Sequence, residues 1–314
     1  MHYPHLFGPV RSRRLGRSLG VDMIPFKTCN CNCVYCECGG ACTVDHERRE
    51  YVSSAELIAE LQRFLAPRPE LDYVTFAGSG EPTLNTALGA VIRFVKDRFP
   101  SYGTALLTNG TLLHLPEVRE AILPCDLVLP SLDAVSDAVF RRVNRPHPGC
   151  DIHLIIEGLR VFSREYRGRL WIEVFIVPGI NDTSEELALL KETLLTLRLD
   201  RVQLNGLDRP GPCDWVTPAT PERMAFIAES LKPLPVEIIS RKALPDGTAA
   251  LPYPENLDGT ILHQLQRRPA TVEEIAAMCS ATINEIARML DMLVAQGKVS
   301  ISTVEGRSFF SISR

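Results

Sequence analysis

Apolar residues along this chain gather first into short unbroken runs and then, between the runs, into longer stretches with helical spacing. The runs are "LGVDMI" (19–24), "LDYVTFAG" (71–78), "GTALLTNG" (103–110), "CDLVLPSLDA" (125–134), "LWIEVFIVPG" (170–179), "RVQLNGL" (201–207) and "VEIIS" (236–240). Continuous runs of this length suit parallel strands buried on both faces. The intervening stretches are "SSAELIAELQRFL" (53–65), "TALGAVIRFVKDRF" (86–99), "IHLIIEGLRVFSREY" (152–166), "SEELALLKETLLTL" (184–197) and "ERMAFIAESL" (222–231), and they read as helices. Ser53, Thr183 and Thr220 stand where N-caps are wanted, with Pro221 at a first helical position. Strand followed by helix, repeated from about residue 18 to 240, predicts a parallel sheet. Six or seven units fall short of an eight-stranded barrel. The expected fold is therefore α/β, a partial (β/α)6-type parallel barrel over residues 1–242.

The pattern breaks at the proline-rich segment "ALPDGTAALPYPENL" (243–257), which reads as a linker. Beyond it, "DGTILHQLQRR" (258–268), "TVEEIAAMC" (271–279) and "TINEIARMLDMLVAQG" (282–297) read as three helices. "KVSISTVEGRSFFSIS" (298–313) then reads as two strands joined at Glu305-Gly306. Three helices and a hairpin predict a small winged helix-turn-helix domain over residues 258–314.

Composition changes this picture little. With 45% hydrophobic residues, 23% charged residues and a net charge of −4, the chain has no long-range attraction for nucleic acid or anionic membrane. It contains no run of 18 apolar residues, and "MHYPHLFGPVRSRR" lacks the apolar centre of a signal peptide. The expected location is the cytoplasm, where clustered cysteines read as metal ligands or redox thiols rather than disulfides.

Six of the ten cysteines lie between Cys29 and Cys42. A zinc ribbon needs a second cysteine pair well downstream, and the ferredoxin spacing places two residues between each of its first three cysteines. Neither fits. What remains is Cys29-x3-Cys33-x2-Cys36, with Tyr35 just before the last cysteine, following the first strand of an α/β pattern. Three thiolates are one too few for a cubane of four irons, so one iron is left open for an external ligand. Cys31 is expected to pack or point away, and Cys125, Cys150 and Cys279 read as small buried hydrophobes. Cys38, Cys42 and Cys213 are candidates for an auxiliary cluster or ordinary loop thiols.

The spacing resembles that of the radical S-adenosylmethionine (SAM) superfamily. "GPVRSRRLGRSLGVDMIPFKTCNCNCVYCECG", with "ERREYV" behind it, is similar to the branch that includes the tRNA wyosine-base synthases. The similarity covers about residues 7–240. It implies a [4Fe-4S] cluster on Cys29, Cys33 and Cys36, whose open iron binds the methionine moiety of S-adenosylmethionine. It also implies a low-potential reductant such as flavodoxin or ferredoxin, and reductive cleavage to a 5′-deoxyadenosyl radical that abstracts hydrogen from a substrate. Wyosine-base synthases carry further cysteines upstream of this motif, whereas here none precedes Cys29, so the wyosine reaction itself is not implied.

Other strand ends supply the expected cofactor pocket. "TFAGSGEPTL" (75–84) offers Gly78, Ser79 and Gly80 for close backbone approach and Glu81 as a carboxylate. By resemblance this turn contacts the methionine ammonium, although Glu81 also suits a plain helix N-terminus. Asn109, Ser131 and Asp133 are expected to line the pocket by resemblance, the last two through ribose hydroxyls; Asp133 equally suits a cap for a helix starting near Ser136. Tyr35 belongs to the same pocket. Val177 and Leu204 are expected to flank adenine, with Gln203 and Asn205 facing substrate or the methionine carboxylate. Arg141, Arg142 and Arg145 form a basic loop suited to an anion or to solvent.

The substrate is expected to be macromolecular, an RNA base or a peptide, docked on the winged helix. Alternatives are a glycyl-radical activating enzyme and a redox-sensing DNA-binding regulator, which needs a cluster but no cofactor cradle. As a docking module, the C-terminal segment should be removable without loss of cofactor cleavage. As a lid, its removal should disturb cluster and cofactor together. Residues 258–314 balance six Arg or Lys against six Asp or Glu, too few free cations for several phosphate contacts. DNA binding by this protein should therefore be weak, with a shallow loss of affinity on raising salt; nanomolar sequence-selective binding at physiological salt would make it a regulator.

Overall fold

The computed structural model describes every residue except 1–2, 13, 40–42, 46, 240–255 and 314. Most of the expected linker and Cys42 lie outside the described residues. The chain opens with an antiparallel hairpin, β1 (Leu6–Ser12) and β2 (Gly16–Val21), followed by the short pair β3 (Thr28–Cys29) and β4 (Thr43–Val44). Next come α1 (Ser54–Leu65), β5 (Tyr73–Phe76), a 3-10 turn (Pro82–Leu84), α2 (Leu88–Arg98), β6 (Gly103–Thr108), α3 (Pro116–Ile122) and β7 (Leu127–Pro130). They lead into α4 (Asp137–Asn144), α5 (Ile152–Glu165), β8 (Arg169–Phe175), α6 (Ser184–Leu195), β9 (Arg201–Asn205), α7 (Pro221–Ser230) and β10 (Val236–Ile238).

Eight strands form one sheet in the order β1-β2-β5-β6-β7-β8-β9-β10, parallel from β2 onward. Its ends, β1 and β10, are not paired with each other, so the sheet stays open. All seven expected strands are present. Ser53, Thr183 and Thr220 cap α1, α6 and α7, each accepting a hydrogen bond from a first-turn amide.

Two-residue alternation along each strand sends side chains to opposite faces. One set, including Val74, Phe76, Leu106, Val128, Ile172, Val174, Val202 and Leu204, packs on Leu57, Leu61, Val91, Ile155 and Leu190 of the helices in the main core. The opposite set forms the barrel interior. There Leu15, from the hairpin turn, packs with Ala105, Leu127, Leu129 and Trp171. Because both faces are covered, the strands are apolar throughout and were legible as runs.

The C-terminal segment has its own core. Helices α8 (Leu257–Arg267), α9 (Val272–Cys279) and α10 (Ile283–Ala295) surround Ile261, Leu265, Ile275, Ile286, Leu290 and Leu293. Strands β11 (Val299–Val304) and β12 (Arg307–Ile312) close it through Val299 and Phe310. Glu305 and Gly306 take positive φ angles of 47° and 75°, as a two-residue hairpin turn requires.

This unit is seated against the barrel by buried charge. Arg209, which follows β9, grips Glu274 of α9 with two hydrogen bonds of 2.5 and 2.7 Å and donates to the Pro269 carbonyl at 3.0 Å. Its Nε lies 3.5 Å from Glu37, between Cys36 and Cys38. The Arg209 side chain is only 6% exposed, whereas Glu274 and Glu37 are 23% and 38% exposed. Breaking such a pair from one side leaves a carboxylate without its cation. Arg209→Ala should therefore lower the urea-unfolding free energy of the docked C-terminal unit by about 3 kcal/mol, the low end of the buried-pair range because both acids keep some water. An unchanged midpoint and slope would show that the contact contributes nothing.

Candidate active site

The cysteine loop has almost no regular structure of its own, so its backbone groups need partners from elsewhere. They come from the end of α4 and the residues after it. The Asn32 amide donates to the carbonyls of Asn144 and Arg145 at 3.0 and 3.1 Å, the Val34 amide to Val143 at 2.9 Å, and the His147 amide to Asn30 at 2.9 Å. Cys31 and Pro146 form a β-bridge. Arg145 ends α4 with φ 43°, a left-handed turn that bends the chain back along the loop. The basic excursion 141–149 thus acts through its backbone as a clamp, and Arg141 pairs with Asp137 at 2.8 Å.

Cys29, Cys33 and Cys36 are half-buried on this loop, and Cys31 is buried. Two side-chain amides point at the sulfurs. Asn109 Nδ2 lies 3.6 Å from Cys29 Sγ, and Asn144 Nδ2 lies 3.5 Å from Cys33 Sγ. Asn144 Oδ1 is buried without a hydrogen-bond partner among the described residues. A hydrogen bond to Cys33 and burial push the Cys31 thiol up, whereas the hydrogen bond from Cys38 lowers Cys36 to about 7. Burial, then the Glu81 carboxylate, push Cys29 up. Cys38 donates toward the Gly78 carbonyl at 3.8 Å, and Cys213 packs with Val34, Tyr35 and Phe175.

Several expected cofactor residues turn out to hold the protein itself. Glu81 is 2% exposed. Its Oε1 accepts from the Thr83 amide (3.0 Å), the Thr83 hydroxyl (2.6 Å) and the Thr108 hydroxyl (2.6 Å), while Oε2 accepts from the Asn109 amide at 2.7 Å. Three of the four donors meet Oε1 and one meets Oε2, so the carboxylate is largely engaged by the protein and keeps one acceptor site on Oε2. Glu81 is a bracket between the 3-10 turn and the end of β6. Burial pushes its pKa up against those hydrogen bonds.

Asp133 is likewise engaged. It is 3% exposed and accepts from the Phe175 amide (2.8 Å), from Asn144 Nδ2 (2.7 Å) and from the Tyr35 hydroxyl. These partners use most of its acceptor sites, and capping of α4 is not among its contacts with the described residues. The start of α4 is held instead by Glu186, which accepts from the amides of Val135 (2.5 Å) and Ser136 (3.0 Å). Half-buried Ser131 stands beside Asp133 at the end of β7. Tyr35 stacks on Phe175 with ring centroids 3.8 Å apart and planes 7° from parallel.

The glycines serve a packing need. A Cβ on Gly80 would stand 2.0 Å from the Thr28 carbonyl oxygen, and one on Gly78 would stand 2.3 Å from Asp22 Oδ1. Protein atoms already demand glycine there. Ser79 donates its hydroxyl to Asp22 Oδ2 at 2.7 Å and its amide to Oδ1 at 3.2 Å. Leu204 is fully buried on the helix side of the sheet and cannot flank a ligand in the interior. Alternation gives the interior positions of β9 to Gln203 and Asn205. Val177 lies in a separate small cluster with Val34, Phe175 and Leu207, at the same end of the sheet as the cysteine loop.

Asn30, Asn144 and Asp22 are functional-site residues that residue type alone did not mark. Asn30 is fully buried, accepts from Asn109 Nδ2 and donates to the Thr111 hydroxyl, both at 2.6 Å. For Asn30 the available signal was its position between Cys29 and Cys31; Asn144 and Asp22, distant from the cysteine motif in sequence, carried none.

Among the described residues, no group of three or more His, Cys, Asp or Glu side chains is close enough to hold a single metal ion. Thiolates capping a cubane bind separate irons and need no such convergence. Three soft ligands on one loop, amide donors aimed at two of the sulfurs and an orphaned buried carbonyl oxygen fit such a cluster.

The family described as the Radical SAM superfamily matches residues 23–190. A UPF0026 protein of Methanocaldococcus jannaschii is 30% identical over 311 residues, 97% of this chain and 94% of that protein. A protein named GTPase Obg from Brachyspira hyodysenteriae is 35% identical over 98% of this chain, which spans only 45% of that protein's length. A probable dual-specificity RNA methyltransferase of Natranaerobius thermophilus is 27% identical over 54% of this chain and 49% of its own. The crystal structure of a radical SAM methyltransferase from Sphaerobacter thermophilus superposes with a TM-score of 0.53 at 20% identity, covering 70% of this chain and 66% of that one, a likeness of fold.

Burial, opposed by its hydrogen bonds, holds Asp133 at about 6, above the ordinary 3.8 of an aspartate. The folded protein therefore binds this proton more tightly than the unfolded chain, and the associated stability is present below the ordinary pKa and lost as pH rises through about 6. Asp133→Asn removes the titration while keeping an acceptor for the Phe175 amide. Relative to this variant, the wild type should lose stability between pH 4 and pH 7, on the order of 3 kcal/mol at most. A difference that stays flat with pH would refute the assignment.

Proposed function

The chain belongs to the radical SAM superfamily, and from that premise we propose that it is an enzyme which holds a [4Fe-4S] cluster on Cys29, Cys33 and Cys36 and acts on an RNA base. The observation that carries the cluster assignment is the pair of amide donors, Asn109 and Asn144, directed at the sulfurs of Cys29 and Cys33. Bound there and reduced by an external one-electron donor such as flavodoxin or ferredoxin, the cluster would supply the electron for reductive cleavage of S-adenosylmethionine to methionine and a 5′-deoxyadenosyl radical. The RNA reading is supported by the RNA methyltransferase relative and by the likeness of residues 7–240 to wyosine-base synthases.

The chain's own residues prepare the site. Glu81 fixes the Asn109 backbone, and Asn109 Nδ2 then bridges Cys29 and Asn30. Asp133 fixes Asn144 and Tyr35, which carry the same restraint to Cys33 and to the residue before Cys36. Such donors lower the charge on thiolate sulfur and orient the ligands. Ser131 is the group at the end of β7 assigned to a ribose hydroxyl. Glu173, paired with Arg14 below it, and Gln203 supply polar contacts in the interior. The packing of Leu15 with Leu127, Leu129 and Trp171 fills the opposite end, so substrate approaches from the strand C-terminal side.

The order of three helices and a hairpin supports reading residues 258–314 as a winged helix. Its contacts with Glu37 and Asp22 argue for the lid role over a detachable docking module.

Anaerobic reconstitution with iron and sulfide should load about four irons per chain. Cys29→Ala, Cys33→Ala and Cys36→Ala should each abolish loading, and Cys31→Ala should retain it. Adding S-adenosylmethionine should change the EPR spectrum of the reduced protein. Retention of the cluster by Cys33→Ala with loss in Cys31→Ala would sink the ligand assignment, and a spectrum indifferent to S-adenosylmethionine would sink the radical reading.

A further inference from the structure

We propose that Arg267, carried by the C-terminal unit, is a positioning residue for the cofactor loop 78–81 and acts on it through Asp22. The ligand's identity rests on the radical SAM reading, but the relay itself does not.

Arg267 is the last residue of α8, and its side chain is 12% exposed. Its Nη1 stays within hydrogen-bond distance of His263 of the same helix, while the rest of the guanidinium reaches beside the first two strands. Its Nη2 donates to the Pro4 carbonyl at 3.1 Å, its guanidinium lies 5.3 Å from the Phe7 ring centroid, and its Nε stands 3.3 Å from Asp22 Oδ2. Burial lowers the Arg267 pKa, and Asp22 opposes that shift. Nε has no hydrogen bond of good geometry among the described residues, so the Asp22 contact is electrostatic.

Asp22 is the link. Immediately beyond β2, its carboxylate receives both the hydroxyl and the amide of Ser79. It is also wedged against Gly78, where no Cβ would fit. The loop it grips is tied to the approach to Cys29 by Lys27 N–H to Ser79 O at 2.8 Å and by Glu81 N–H to Thr28 O at 3.1 Å. A cation beside a carboxylate this buried helps to fix its orientation. Arg267 is the cation placed there. Without it, Asp22 is free to turn toward water, and Ser79 then loses its acceptor.

The neighbouring residue extends the same geometry. Arg268 Nη1 lies 3.8 Å from Glu37, which Arg209 also contacts. The end of α8 thus straddles the cofactor loop through Asp22 and the cluster loop through Glu37. The C-terminal unit is accordingly a part of the active site's scaffold.

The test uses the full chain carrying Arg267→Met, Ser79→Ala or both, with Arg267→Lys as the conservative control. Amide hydrogen exchange is followed at residues 77–81 in the cluster-free protein, and S-adenosylmethionine affinity is measured by calorimetry after reconstitution. Arg267→Met should speed exchange at the Ser79 amide, leave α9 and α10 protected, and weaken affinity about tenfold at unchanged iron content. Arg267→Lys should recover most of that loss. The double variant should be no weaker than the worse single variant, because both act through Asp22. Independent losses that multiply, unchanged exchange at 77–81, or exchange that rises throughout α9 and α10 would each overturn the relay. Wild-type protein that fails to bind S-adenosylmethionine, with the exchange pattern as expected, would refute the cofactor reading and leave the relay standing.

Discussion

The site depends on a backbone-to-backbone seam between residues 30–34 and 143–147. A loop that presents three thiols at fixed positions cannot fold back into a helix or extend into a long strand. Its amides and carbonyls must still be paired, because burial without partners costs roughly 1–3 kcal/mol per group. The end of α4 solves this by supplying carbonyls and amides in register, and the left-handed Arg145 turns the chain so that it can. Asn144 lies in the same seam and directs its side chain at both Cys33 and Asp133. One local reversal thereby fixes the cysteine loop, the end of β7 and, through Phe175, the end of β8.

The polar groups around that seam form a chain of mutual restraint. Glu81 couples the 3-10 turn to β6, Asn109 couples β6 to Asn30, and Asp133 couples β7 to β8 and to Tyr35. Each buried carboxylate is satisfied by donors of the protein, which is what makes burial tolerable. It also assigns these acids to holding geometry. Ser131, at the end of β7, and the thiols of Cys29, Cys33 and Cys36 are by contrast left half-buried.

Much of the frame was legible in the sequence because parallel strands covered on both faces are apolar without interruption, and the capping residues Ser53, Thr183 and Thr220 stood out at helix starts. β1 was not legible. Gly8 and Pro9 fall where its pairing slips between Phe7 and Val10, so "LFGPVRS" shows no strand period. The cysteine spacing was readable because ligand type and interval are chemical properties of the chain. The roles of Glu81 and Asp133 were not, since residue type does not reveal which donors converge on an oxygen. Leu204 shows a parity error. In "RVQLN" the polar positions Gln203 and Asn205 already marked the interior face, and the leucine between them had to face the helices.

Burial also changes what the charge of the C-terminal unit means. By count its acids and bases balance, but Arg267 is turned inward to Asp22, and Arg268 and Arg307 lie 3.8 Å and 3.9 Å from Glu37 and Asp208 of the barrel. Among the described residues of this unit, the bases left exposed are Arg288 and Lys298, against exposed Glu273, Glu285, Asp291 and Glu305. The outer face is therefore acidic, and it also exposes Ile283, Met292 and Ile301. Acidic charge repels phosphate at every distance shorter than the screening length. The proposed RNA substrate would then be held chiefly by the barrel mouth, and the fold of the C-terminal unit says less about its role than the direction in which its arginines point.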